Sequence, residues 1–497
     1  MKKVMIIGAG IAGLTSGIYS QLNGFETEIV ESHTIPGGEC TGWDRGEYHF
    51  DGCIHWMMGS KEGVPLHKVW LDTGALDDSV RIINHDIYTR YEDEQGIIDL
   101  YTNADKLQKH LQEIAPEDAK EIKNMCSAIH KMAGFTMPTE KPMDMMTAKD
   151  GITFMFKNMG GMSRVSRYSK MTMREFAERF TNTRLRNLFR SLLPERYTSM
   201  ALLSMLAGMN SGDCGYPEGG SRAVAKRMEQ KFISLGGKIT YRAKVDKILV
   251  DNGVAKGIKF EDGRELFADT VISCADGYAT LVNMLEDKYT PENYRALFNQ
   301  PAKFPTITSS LVFLGIDAEL MKDIHGMVLK REKPLELNGV ETDYWTYISY
   351  ATDKNMAPKG KTVISCYYDA DYEYWKNLSE DKEKYKAEKK RLECDAISAL
   401  IKKFPEIEGK IEITDVVTPL TYERYCNAWR GSWMTWVNNT NTKEVPRYAT
   451  GLLTGLEHFI MAGMWTLPPG GLPGAAAAGK FAAQRLCMQN GTEFKTM

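Results

Sequence analysis

The segment from residue 4 to residue 31 reads VMIIGAGIAGLTSGIYSQLNGFETEIVE. A short apolar strand runs into Gly8, Gly10 and Gly13, a helix-like run follows, and a second strand ends at Glu31. This is the βαβ pattern of a dinucleotide-binding unit, in which the glycines allow a tight turn, close approach to a pyrophosphate and close packing of helix on strand. The pattern predicts an α/β fold.

The predicted ligand contacts follow from this unit. We expect the pyrophosphate at the start of the helix, at Ile11 and Ala12, because free N–H groups and the helix dipole favour an anion there. We expect Glu31, with Ser32 beside it, to accept hydrogen bonds from the adenosine ribose hydroxyls. The other interpretation is a glycine-rich turn without a ligand, but the strand, the helix and the acid all occur where a dinucleotide site needs them.

Composition excludes several classes of protein. A chain of 497 residues exceeds the size at which one core stops growing, so we expect two domains. The formal net charge of -3 argues against general nucleic-acid binding. No apolar run reaches the roughly 18 residues of a membrane-spanning helix, and the N-terminal apolar run is too short for a signal peptide.

The nine cysteines are scattered, with no CxxC and no metal-ligand spacing. We therefore predict no metal site and reduced thiols in a cytoplasmic protein.

A glycine pair decides between the dinucleotides. Gly37 and Gly38 follow soon after Glu31, where a nicotinamide-binding unit has no need of them. This arrangement resembles the amine-oxidase and phytoene-desaturase branch of the FAD-binding superfamily, and the stretches 37–43 and 50–55 resemble its phytoene desaturase and retinol saturase subgroup. That branch often carries arginine two residues before the pair and directly after it, where this chain has isoleucine and Glu39.

A second resemblance lies near the C-terminus. Residues 459–474 read FIMAGMWTLPPGGLPG, and an alanine-rich run continues to about Cys487. This resembles the closing motif of the same family. A helix starting near Gly474 would direct its first N–H groups at the flavin edge, where negative charge develops on reduction. The resemblance implies cofactor contacts from Gly463, Met464, Trp465, Leu472, Pro473, Gly474 and Ala475.

The resemblance also implies how the chain is divided. The expected architecture is a discontinuous Rossmann-like FAD-binding domain with a parallel sheet, formed by residues 1–75, 215–290 and 445–497, in which Val245 packs on the adenine. Residues 76–214 and 295–444 would form an α+β substrate domain with an antiparallel sheet and a helical lid. Alternating patterns predict strands at 307–314, 344–350 and 362–368.

Residues 155–196 have an unusual composition. From Lys157 to Arg196 there are ten Lys and Arg against three acids, interleaved with Met and Phe. One interpretation is a lid that makes peripheral contact with an anionic membrane and admits a lipid. The other is a helical cap with a solvated basic face and an ordinary core face.

Few side chains are candidates for catalysis. His55 follows the family-like stretch and is either an acid or base at the flavin or a core histidine. We expect Tyr422, Tyr425 and Trp429 to wall the cavity, although they also fit the pattern of core aromatics.

The resemblance implies a function. We expect non-covalent FAD and an oxidoreductase that desaturates, saturates or isomerises carbon–carbon double bonds of a lipophilic polyene or unsaturated lipid. Its chemistry would be hydride transfer at flavin N5, with an external electron donor or acceptor. The alternatives are a non-catalytic lipid- or isoprenoid-binding escort protein on the same fold, and an amine oxidase.

Overall fold

The structure is a computed structural model and describes residues 1–135, 137–437 and 441–497. The strands in this part of the chain are β1 Lys3–Ile7, β2 Glu26–Val30, β3 Gly42–Arg45, β4 Tyr48–Asp51, β5 Ile82–Ile83, β6 Ile87–Asp93, β7 Gly96–Tyr101, β8 Tyr216–Pro217, β9 Lys238–Thr240, β10 Val245–Asp251, β11 Val254–Phe260, β12 Glu265–Phe267, β13 Thr270–Ser273, β14 Ser309–Ile316, β15 Gly326–Leu337, β16 Val340–Ser349, β17 Thr362–Asp369, β18 Ile411–Val417 and β19 Phe459–Met461.

The α-helices of the same part are α1 Ile11–Leu22, α2 Pro65–Asp72, α3 Ala104–Ile114, α4 Ala119–Met132, α5 Ala148–Tyr168, α6 Met173–Ala177, α7 Thr183–Leu192, α8 Ser199–Asn210, α9 Gly220–Ser234, α10 Glu292–Phe298, α11 Tyr372–Leu378, α12 Lys382–Lys403, α13 Pro419–Cys426 and α14 Gly471–Gln489. Short 3₁₀ or π turns lie at Pro116–Asp118, Met143–Met145, Ala279–Met284, Pro405–Ile407 and Trp429–Gly431.

A parallel sheet forms the first layer. Among the described residues its strands number five, in the order β19-β13-β1-β2-β9, and every pair is parallel. The central strands are apolar and buried on both faces, as parallel sheets require. Helix α14 packs across α1 so closely that a Cβ on Gly479 would lie 2.4 Å from the carbonyl oxygen of Ala12. The predicted α/β fold with a parallel sheet is confirmed.

A second sheet lies on the other side of the molecule's main cavity. Over the described residues it has seven strands, in the order β18-β14-β17-β16-β15-β6-β7. The strands predicted at 307–314, 344–350 and 362–368 correspond to β14, β16 and β17, which pair antiparallel. The pair β6–β15 is parallel and joins segments more than 200 residues apart, so no local pattern could indicate it. A three-stranded antiparallel sheet, β10-β11-β12, completes the region after α9.

Helices α3 to α8 form a core together with strands β6 and β7. Phe176, Phe180 and Phe189 are buried in contact with one another, and Met173 is also buried. The aromatic and methionine side chains of residues 171–189 therefore pack mainly inward, as the helical-cap interpretation predicts. The N-terminal half of α5 differs, because it exposes large apolar side chains. The boundaries of the two domains remain a prediction. In the described part of the chain, no helix is both long and apolar enough to cross a bilayer.

Candidate functional site

A cavity of about 1580 Å³ is lined by residues of both large sheets. Ligand pockets generally measure roughly 300–1,000 Å³, so this cavity has room for more than one organic molecule. All but one of the residues predicted to contact the cofactor line it: Gly8, Gly10, Ile11, Ala12, Glu31, Ser32, Gly37, Gly38, Glu39, Val245, Gly463, Met464, Trp465, Leu472, Pro473, Gly474 and Ala475.

The exception is Gly13, which does not line the cavity. A Cβ at this position would lie 1.9 Å from the carbonyl oxygen of Gly8, in the turn that precedes α1. Gly13 therefore allows the helix to pack on the strand and turn, which is the role that the sequence predicts for the third glycine.

The start of α1 forms one wall of the cavity. Gly10 caps the helix in extended conformation, and no side chain caps its first N–H groups. A Cβ on Gly10 would find a single protein atom within 4 Å, the carbonyl oxygen of Gly37 at 3.8 Å. The space beside Gly10 is therefore free of protein, and the positive end of the helix dipole lies at it.

The glycine pair lies against this helix start. The N–H of Gly37 donates to the carbonyl of Ala9 at 2.9 Å, and a Cβ on Gly38 would lie 3.4 Å from the Cα of Gly10. Both glycines have positive φ, 116° and 61°, which other residues rarely adopt. The pair brings the chain across the start of α1, where larger residues would not fit.

Glu31 is fixed at the end of β2. One carboxylate oxygen accepts the N–H of Ala9 at 2.7 Å, and the other accepts the N–H of His33 at 2.8 Å and the hydroxyl of Ser32. A carboxylate has about four lone-pair sites, so acceptor capacity remains for a ribose hydroxyl. Beside it, the N–H of Ala243 donates to the Glu31 carbonyl, which places Val245 at the same end of the cavity.

The C-terminal segment closes the opposite side. Ala462 donates its N–H to the carbonyl of Ser273, and a Cβ on Gly463 would lie 3.8 Å from the Cβ of Ala12. Helix α14 begins at Gly471, three residues before the predicted start, since proline is compatible with the first turn of a helix. No side chain caps it, so a second helix N-terminus lies at the cavity.

Two buried acids, Glu39 and Asp276, line the cavity. Burial, and next the charge of Asp276, raise the pKa of Glu39 to about 8. Burial also raises the pKa of Asp276 to about 6, although its carboxylate accepts N–H groups from Ala279 and Trp429. Asp276 was not predicted. Its signal in the sequence is its place just after β13, because ligand sites of parallel sheets lie at the carboxyl ends of the strands.

His55 lies on the cavity wall, and its Nδ1 is 3.3 Å from the hydroxyl of Tyr350. Burial lowers the pKa of His55 to about 4, so its imidazole is neutral at pH 7. Among titratable groups, the rings of His325 and Tyr350 pack beside it. His55 therefore faces the cavity as a neutral hydrogen-bonding group.

The three aromatic candidates, Tyr422, Tyr425 and Trp429, lie in different surroundings. Tyr422 lines the cavity and is largely buried. Tyr425 also lines the cavity, as predicted; it is 51% exposed and packs edge-on against His33, beside Glu31, and its predicted catalytic role stays a prediction. Trp429 does not line the cavity; it stacks on Tyr278 in an aromatic core.

The rest of the cavity lies between the seven-stranded sheet and helix α8. It is walled mainly by apolar and aromatic side chains: Trp56, Tyr88, Met200, Leu311, Val328 and Ile348. One cavity thus joins a polar end, with two helix N-termini and a fixed carboxylate, to an apolar end. The polar end fits a flavin dinucleotide, because the space at Gly10, the glycine pair and Glu31 match its pyrophosphate and ribose.

Comparison with known proteins agrees with this geometry. A family profile described as "Flavin containing amine oxidoreductase" matches residues 11–487. The chain is 25% identical to the chloroplastic prolycopene isomerase of Arabidopsis thaliana, over 99% of this chain and 84% of that protein. It is 20% identical to a 4,4'-diapophytoene desaturase of Methylomonas, over 99% and 97%, and 23% identical to the all-trans-retinol 13,14-reductase of Rattus norvegicus, over 86% and 76%.

A solved structure has the same fold. The oxidoreductase from Methanosarcina mazei superposes with a TM-score of 0.59 over 97% of this chain and 100% of that one, at 19% identity.

Proposed function

The chain belongs to the family of flavin-containing amine oxidoreductases, and from this premise we propose that it is an FAD-dependent oxidoreductase that acts on carbon–carbon double bonds of a lipophilic polyene. The observation that carries the proposal is the continuity of the cavity. Its polar end has the parts of a dinucleotide site, and its apolar end can hold a long hydrocarbon chain beside the cofactor.

FAD, and not a shorter flavin, would occupy the whole polar end of the cavity. Glu31 and Val245 lie where the adenosine half would bind, and the start of α1 would hold the pyrophosphate. The N-terminus of α14 would lie at the isoalloxazine ring and favour negative charge there. When bound, the flavin supplies hydride transfer at its N5 atom.

The protein's own residues bind and orient the substrate and exclude water from it. The apolar walls remove a polyene from solvent and fix its position relative to the polar end. His55 is neutral and can accept or donate one hydrogen bond through its free ring nitrogen. The pKa of Glu39 is about 8 and that of Asp276 about 6, so these two carboxyl groups are the candidates in this wall for releasing or taking up a proton near neutral pH.

The substrate class follows from the walls and from the relatives. The apolar end offers aromatic and aliphatic side chains, and three relatives are named for reactions of prolycopene, diapophytoene and all-trans-retinol, by isomerisation, desaturation and reduction. Their reactions differ in direction, so an external electron donor or acceptor is part of the proposal only if the net reaction is redox.

The proposal is tested with the purified flavin-loaded protein under anaerobic conditions. Oxidised and chemically reduced samples are each mixed with linear polyenes of several lengths, and with the fully saturated hydrocarbon of matched length as control. We expect at least one polyene to oxidise or reduce the flavin or to emerge isomerised, and the saturated control to do neither.

Two outcomes would overturn the proposal. If primary amines reduce the flavin and no polyene does, the protein is an amine oxidase. If polyenes bind in stoichiometric amounts and leave unchanged in both redox states, the protein is an escort.

A further inference from the structure

Two cysteines lie opposite each other at the open end of the β3–β4 hairpin. The antiparallel register of this hairpin continues one step beyond its strands, where the N–H of Gly52 donates to the carbonyl of Thr41 at 2.9 Å. The next pair in the same register is Cys40 with Cys53. Directly opposed residues of antiparallel strands have Cα atoms about 4.5–5.5 Å apart, within the roughly 4.4–6.8 Å that a disulfide spans.

The two thiols interact with each other. A hydrogen bond with the Cys53 thiol, and next burial, raise the pKa of the Cys40 thiol well above its ordinary value. Cys40 is buried, and its Sγ donates to the carbonyl oxygen of Ser221 at 3.6 Å. Cys53 is only partly buried. The pair therefore has one thiol inside the cavity wall and one nearer to the surface of that wall.

Both cysteines line the cavity where its polar end meets its apolar end. Cys40 follows the glycine pair by two residues, and Cys53 precedes His55 by two residues. Burial raises the pKa of the Tyr422 hydroxyl above its ordinary value, and the nearby charges of Glu39 and Cys53 raise it further. A flavin that extends from the polar end towards the apolar end would pass this pair of thiols.

Cys426 is the alternative partner for Cys53. It also lines the cavity, and burial, followed by the charges of Glu39, Glu31 and Cys53, raises the pKa of its thiol well above the ordinary value. However, it is the last residue of helix α13 and so belongs to a separate element. The hairpin, in contrast, holds Cys40 and Cys53 on neighbouring chains in one register, so the observations favour that pair.

We propose that Cys40 and Cys53 form a redox-active pair that exchanges two electrons with the flavin. In one direction the two thiols lose two electrons, which reduce the flavin, and two protons, which pass to the flavin and to solvent, and the S–S bond forms. In the other direction the S–S bond takes two electrons from the reduced flavin, takes up two protons and breaks into two thiols. The cavity then holds a second pair of electrons for a reaction that needs reduced flavin. The exchange rests on the flavin of the proposed function, whereas formation of the disulfide does not.

The test is an anaerobic redox titration of the flavin-loaded protein. The wild type is first oxidised with diamide and freed of the reagent, and dithionite is then added while the flavin absorbance is followed. We expect an uptake of about four electrons per flavin, two by the flavin and two by the disulfide. Cys40→Ala and Cys53→Ala should each take up about two. Peptide mass mapping of alkylated protein should find Cys40 linked to Cys53 before the titration and both thiols free after it.

Cys274→Ala is the matched control, because Cys274 also lines the cavity while its Sγ lies 3.8 Å from the hydroxyl of Ser16. It should take up as many electrons as the wild type. Wild-type uptake of about two electrons, equal uptake by the wild type and both variants of the pair, or a disulfide between Cys53 and Cys426 would disprove the exchange. A protein that passes this test and leaves every polyene unchanged would fail only the proposed reaction.

Discussion

At the scale of the residue, Glu39 is the difference from the family pattern that has the largest consequence. It follows the glycine pair directly, where the resemblance implies arginine, and like Asp276 it lines the cavity. A carboxyl there avoids charge repulsion from a bound pyrophosphate only while it is protonated. Its raised pKa therefore fits the cofactor site, and it makes that site sensitive to alkaline pH.

The expected result is a pH dependence of thermal stability. The pKa of Glu39 is about 8 in the folded protein and 4.5 ordinarily, so the folded protein holds the proton between these values and loses stability as pH rises through the interval. The melting temperature of the flavin-loaded wild type should fall from about pH 6 to about pH 9, and that of Glu39→Gln should fall less. Glu47→Gln, at an exposed position, should follow the wild type. Parallel curves for all three proteins would refute this role of Glu39.

At the scale of the element, the crossing of α1 and α14 positions both helix N-termini at the cavity. Gly479 makes the crossing possible, because a Cβ there would lie 2.4 Å from the carbonyl oxygen of Ala12 and 2.8 Å from the Cβ of Thr15. These atoms belong to the body of α1 and have little freedom to move. A methyl group at residue 479 would separate the helices and displace the flavin end of the cavity.

Gly479→Ala should therefore lower the free energy of unfolding by about 1–3 kcal/mol, the usual cost of overpacking, and weaken flavin retention. The matched substitution is Gly160→Ala in α5, where no atom lies within 4 Å of the new methyl group. It should raise the free energy of unfolding by roughly 0.5–1 kcal/mol, because alanine favours a helix over glycine. Denaturant unfolding of both variants measures the difference, and equal effects would refute the packing argument.

At the scale of the whole molecule, only features that short stretches of sequence encode could be predicted. Gly8, Gly10, the pair at 37–38 and the C-terminal motif were expected to meet, and the structure brings them to one cavity. The pairing of β6 with β15 and the placing of Trp429 in a core depend on contacts between distant segments. Helix α5 turns Asn158 and Gly161 inward and large apolar side chains outward, which its composition alone did not indicate.

The central claim is that the cavity's polar end holds a complete FAD molecule without a covalent bond. Acid precipitation of the purified protein, followed by mass measurement of the released cofactor, tests it most directly. We predict FAD, one per chain, from the wild type, and little or none from Gly10→Val. In that variant the side chain enters space that no protein atom fills, so the fold should persist while the pyrophosphate is displaced. FMN in the supernatant, flavin left on the precipitate, or full FAD in a folded Gly10→Val protein would contradict the account.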